Sequence, residues 1–237
     1  AERRKKLMPF FWSTIESNGQ IYGNRNFDNR VNVANRYWFS YPGYNEIFTG
    51  YPDTLINSNG YKPNPNTTLT EFLNKQPLFK NKVAAFGAWD AFERILNKER
   101  SKVLVVNAFD KIPAGPNSNL LNKMLEDSYK PFGQEECQDI FTHYAALDYL
   151  QTKKPGVLYI SYGETDEWAH SGRYKDYLNA AHQVDKWIGD LWNYLQSNPT
   201  YKNKTALFIT TDHGRGDTIK KEWTSHGSDI KGADEIW

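Results

Sequence analysis

Cysteine is nearly absent. Cys137 stands alone in 237 residues, which excludes an internal disulfide framework and a cysteine-based zinc cluster. Its place in a helical pattern makes it a buried small apolar residue rather than a reactive thiol. Long hydrophobic runs are missing as well. Hydrophobic residues make up 39% of the chain, and no stretch approaches the roughly 18 apolar residues needed to span a bilayer. A globular chain without a membrane span is therefore expected. Nor is there a surplus of charge of either sign: 29 Lys and Arg against 28 Asp and Glu leave +1. That balance provides no basic field for nucleic acid and no acidic field for cationic partners. Internal repeats and low-complexity tracts are absent too. The start, "AERRKKLMPFFW", carries no signal-peptide pattern and reads as the middle of a helix.

What is present is an aromatic content of 15% and a set of short apolar runs. Lys82 to Trp89, Lys102 to Phe109, Gly156 to Tyr162 and Thr205 to Thr211 are continuous enough for strands buried on both faces, as in a parallel sheet. Helical patterns alternate with them. The clearest spans Tyr174 to Gln196, with Tyr177, Ala181, Val184, Ile188, Leu191 and Leu195 along one face. Others run from Glu135 to Gln151, Thr70 to Lys75 and Asp90 to Lys98. Loops such as "NSNGYKPNPNTT" separate elements without resembling an interdomain linker. Residues 1–237 thus read as a single α/β domain, an open and mostly parallel sheet with helices on both faces.

In such sheets ligands gather beyond the carboxyl ends of the strands, and two of these ends are loaded. "GVLYISY" is followed by "GETDEWAHSG", which holds Asp166 and His170. "TALFITT" is followed by Asp212 and His213, and "EWTSHGSD" then supplies His226. One helical turn would place Asp166 and His170 on one face, either as a surface charge pair or as two ligands of one metal. Asp212 and His213 read either as a helix cap with a satisfied histidine or as ligands past a strand end. Together the five form a hard-to-borderline donor set that suits zinc or manganese better than calcium. His143 and His182 lie within helical patterns and read as structural or surface residues. Upstream, Ser40 ends an aromatic run and precedes Tyr41-Pro42-Gly43. It is suited to the start of a helix, whether as a capping residue or as a serine beside free backbone amides.

In this order the segments resemble the alkaline phosphatase superfamily, especially its type I phosphodiesterase and nucleotide pyrophosphatase branch. "SYPGYNEIFTG" matches the nucleophile helix with Ser40 in the nucleophile's place, and Asp166/His170, Asp212-His213-Gly214 and His226-Gly227 match the branch's ligand motifs. The resemblance implies two divalent ions, zinc or manganese. One would be held by Asp166, His170 and His226, the other by Asp212, His213, the Ser40 oxygen and a first-strand aspartate that this sequence lacks. It also implies a fold missing its first and its last strands here, as in a fragment of a longer protein. Asn57 or Asn59 of "INSNG" would bind a phosphoryl oxygen, with spacing favouring Asn59.

The implied activity is hydrolysis of a small-molecule phosphate ester, diester or monoester, through a covalent phosphoserine. The aromatics around Ser40 (Tyr37, Trp38, Phe39, Tyr41, Tyr44) allow either a pocket for a second ester group or ordinary core. A formylglycine sulfatase is the alternative within the superfamily, but its motif needs a basic residue where Tyr44 stands. An inert binding module on the same fold is the alternative outside enzymology. Relatives suggest a periplasmic or extracellular location, while oligomeric state and substrate stay open.

Overall fold

A computed structural model describes residues 2–237. Its strands are β1 (Val31–Asn32), β2 (Val83–Gly87), β3 (Leu104–Asn107), β4 (Val157–Ser161) and β5 (Glu235–Ile236). The chain divides into two compact units. One is continuous, Ala34–Glu164, and the other combines Ala1–Val33 with Thr165–Trp237.

The continuous unit carries a parallel sheet of order β3-β2-β4. Ala85 of β2 pairs with Val105 on one side and Tyr159 on the other. All five residues of β2 are buried, as a central strand covered on both faces requires. Alternate side chains feed two cores. Val83, Ala85, Val105 and Tyr159 pack with Tyr41 and Phe48 of the Ser40–Thr49 helix and with Phe92 and Ile95. Ala84, Phe86 and Val106 pack on the opposite face with Leu125, Phe141 and Ala145, which belong to the helices Ser118–Asp127 and Asp139–Lys153. Connection handedness explains the split. The β2–β3 and β3–β4 connections move in opposite directions across the sheet, so right-handed crossovers place their helices on opposite faces.

Three of the four expected strands form, which preserves the α/β class with helices on both faces. The fourth does not. Thr205–Thr211 forms no strand, and from Thr205 to Thr210 its residues alternate between half-buried and exposed, with Phe208 89% exposed. The segment keeps the period of a strand but has no hydrogen-bonded neighbour among the described residues. A parallel strand is stabilised through such a neighbour.

The discontinuous unit is built on the Tyr174–Ser197 helix, whose length matches the sequence reading. Its expected apolar face is only half-buried; Ala180, Asp185, Trp187 and Gly189 are the buried positions. Asp185 explains one departure, because its carboxylate accepts the backbone N–H groups of Phe10 and Phe11 at 2.8 and 2.9 Å. A charged residue is buried here to satisfy amides of a distant segment. In the same unit β1 pairs antiparallel with β5, Val31 opposite Ile236, a short ribbon that no apolar run announces. The expected Asp90–Lys98 helix is instead two single turns, Phe92–Ile95 and Lys98–Ser101, separated by Asn97 at φ 42°.

Candidate metal centre

Asp166 and His170 sit on the Glu164–His170 helix, one turn apart. Asp166 Oδ2 lies 3.0 Å from His170 Nε2 and 3.9 Å from His226 Nε2. The two imidazole Nε2 atoms face each other at 3.0 Å. From the other side, His213 Nε2 approaches Asp166 Oδ1 at 4.0 Å and Asp212 Oδ2 at 3.5 Å. His213 and His226 are also close ring to ring, with centroids 4.1 Å apart. Five residues drawn from three stretches of sequence, all within the discontinuous unit, are thus in mutual reach.

The local backbone makes this convergence achievable. Gly214 donates its N–H to Ala233 O at 2.8 Å, and a Cβ there would meet the carbonyls of Gly232 and Glu235 at 2.3 Å. The residue after His213 must therefore be glycine for the chain to pass. Gly227, after His226, has φ +108°, a conformation that side chains other than glycine's oppose. The Asp-His-Gly and His-Gly patterns are backbone requirements as much as chemical ones. His213 donates from Nδ1 to Gly214 O at 2.8 Å. That bond orients the ring with Nε2 toward the carboxylates, the orientation a metal ligand needs.

The donors fit a divalent cation. A tetrahedral zinc with ligands at about 2.0–2.1 Å keeps neighbouring donors roughly 3.3 Å apart. The Asp166, His170 and His226 separations of 3.0, 3.0 and 3.9 Å bracket that value. Asp166, His213 and His226 likewise each offer an atom within 4.8 Å of the others. Burial pushes the Asp212 carboxyl above its ordinary range, partly offset by His213. The residues expected to hold two separate ions are close enough to form one continuous cluster.

Ser40 and Asn59 belong to the continuous unit. Ser40 is the first residue of its helix, which runs to Thr49, with Phe39 extended before it. Asn59 Oδ1 accepts the N–H of Tyr41 at 3.0 Å, so the Asn59 side chain reaches the first turn of the Ser40 helix. Arg94 Nη1 fixes that asparagine by donating to the carbonyls of Asn59 and Tyr61 at 3.1 and 2.8 Å. Asn57 is exposed. Of the aromatics around Ser40, Tyr41 is fully buried and Tyr44 packs edge-on against Phe92 at 4.8 Å. Tyr37 and Phe39 form a tilted pair at 5.8 Å.

Other residues take the roles the sequence reading gave them, although the expected Glu135–Gln151 helix begins only at Asp139 and leaves Cys137 ahead of it. Cys137 is buried, and burial pushes its thiol up to about 12, an inert state. His143 is buried and bonded to Tyr162. His182 donates from Nδ1 to Leu7 O. Two contributors have no sequence signal. Arg215 donates from Nη2 to Asp166 Oδ1; burial draws its guanidinium down to about 10, still charged at neutral pH. A basic residue between two glycines reads as a solvated turn. Asp139 accepts from the N–H groups of Gly163 and Glu164 at 2.7 and 3.1 Å, anchoring the start of the helix that carries Asp166.

A sheet with helices on both faces and a carboxylate–imidazole cluster fit for a cation together define an α/β protein with a candidate metal centre. The family model for type I phosphodiesterase / nucleotide pyrophosphatase matches residues 2–229, and the chain belongs to that family. The match extends into the N-terminal segment, beyond the motifs read from sequence. No curated protein and no solved structure matches the chain. Among the described residues no helix is long and apolar enough to cross a membrane.

Proposed function

We propose that the protein is a metal-dependent phosphodiester hydrolase with Ser40 as its nucleophile. Two divalent ions, zinc by the character of the donors, would be held by Asp166, His170 and His226 and by Asp212 and His213 together with the Ser40 oxygen. The observation that carries this reading is the cluster of three imidazole Nε2 atoms around Asp166 in a chain of the type I phosphodiesterase family.

Bound dications lower the pKa of a coordinated hydroxyl and offset charge on a transferring phosphoryl group. The chain supplies the remainder. Ser40 Oγ attacks phosphorus and gives its proton to solvent water, a P–O bond forms, and the bond to the leaving alkoxide breaks, the alkoxide taking a proton from that water to leave as an alcohol and the phosphoryl group staying on the serine. Water then cleaves that ester and releases the phosphate product. Asn59 has its Oδ1 committed to Tyr41 N–H, so its Nδ2 is the donor for a non-bridging oxygen. Tyr37 and Phe39 offer an apolar surface for the second ester group, which favours diesters. The sulfatase alternative loses support: Tyr44, at the position needing a basic residue, bonds Ser161 Oγ at 3.0 Å and packs in the core.

The test is zinc analysis alongside hydrolysis of bis-p-nitrophenyl phosphate and p-nitrophenyl phosphate, with and without EDTA. Ser40→Ala should abolish turnover while zinc content stays nearly intact. Turnover that survives this change sinks the mechanism. EDTA-insensitive inertness toward both substrates would favour a binding module.

A further inference from the structure

Arg215 follows the Asp-His-Gly turn and directs its guanidinium back onto the candidate ligands. Nη2 donates to Asp166 Oδ1, on the same carboxylate whose Oδ2 faces His170 and His226. Nη1 donates to Trp223 O at 3.4 Å. Trp223 is itself held by Tyr174 and Tyr177, ring centroids 5.2 and 6.5 Å away. The Arg215 side chain is only 11% exposed, so water screens its charge poorly. A guanidinium and a dication at one carboxylate repel each other, so each weakens the other's hold on Asp166.

We infer that Arg215 is an internal competitor for the cation site, holding Asp166 in the metal-free protein and yielding it when a divalent ion enters. This rests on the cation-site reading above and adds a residue which that reading does not use. The Trp223 carbonyl gives the released guanidinium a fixed partner. Its positive charge then stays beside the cluster, with free donors suited to an anionic ester.

Calorimetric titration of zinc into the EDTA-stripped full chain tests the idea. Arg215→Met keeps bulk and removes charge, and it should bind zinc at least about tenfold tighter than wild type. In an Asp166→Asn background, with no carboxylate to contest, the same substitution should change affinity far less. Equal or weaker zinc binding by Arg215→Met overturns the proposal. If that variant does not fold, dicarbonyl labelling of the wild type decides. Modification of Arg215, read by mass spectrometry, should rise when zinc is added, and no rise overturns the competitor role. A wild type that takes up no zinc sinks the cation site itself and this inference with it.

Discussion

Asp139 and Asp166 are carboxylates with opposite kinds of company. Asp139 is 1% exposed and its oxygens accept backbone amides of Gly163 and Glu164, while Glu164 Oε1 returns the favour to the Asp139 N–H at 3.0 Å. Burial, with the Glu164 charge second, pushes its carboxyl up to about 8, so it is mostly uncharged at neutral pH. Asp166 meets side chains instead: one guanidinium and three imidazoles. The lesson lies in what can be exchanged. Amides that belong to the main chain stay with Asp139, which makes it structural, whereas the partners of Asp166 can turn aside or share it with a cation.

The contrast can be broken first at Asp166. Asp166→Asn should lower zinc affinity by about 10- to 100-fold or more and remove most hydrolysis, and it should also lower the melting temperature of the metal-free protein, because the largely buried Arg215 guanidinium loses its carboxylate. Zinc titration beside a thermal melt checks both. Next, Asp139→Ala strands two amides and should cost about 2–3 kcal/mol of stability, read from urea unfolding, while zinc affinity moves less than that of Asp166→Asn. An equal loss of zinc affinity would erase the distinction between the two sites.

Asp139 also sets a slope. The folded state holds the Asp139 proton up to about pH 8, whereas an unfolded aspartate releases it near pH 4. Between those values the native state binds more protons, so this group makes stability fall as pH rises, by at most about 1.4 kcal/mol per unit. Asp139→Asn cannot ionise and should start less stable, having traded an acceptor for a donor, yet show a flatter profile from pH 5 to 8. Melts across that range would show an unchanged slope if the carboxyl were ordinary.

Much of the fold was legible because β2, β3 and β4 are apolar up to the polar residue that ends β3 and β4, and packing on both faces leaves little polar alternation to misread. Thr205–Thr211 looks the same in sequence and ends differently, since composition specifies a strand's surroundings but not the presence of its neighbour. Asp166, His170, Asp212, His213 and His226 could be picked out because such side chains rarely follow apolar strands without a task. Their mutual distances could not. The 3.0 Å approach of His170 to His226 spans 56 residues of sequence and depends on Gly214 and Gly227 letting the backbone turn. Arg215 and Asp139 escaped notice because a charge in a turn, or in the first turn of a helix, resembles many solvated ones.

The interleaved build of the two units also orders events during synthesis. Asp185 must wait for nothing upstream, but the amides of Phe10 and Phe11 that it accepts leave the ribosome long before it does. At ribosomal speeds the intervening residues take on the order of ten seconds, and all three strands of the parallel sheet precede Asp185 in the chain. The N-terminal segment spends that interval without its carboxylate partner, and the amides of Phe10 and Phe11 bond to water until it arrives.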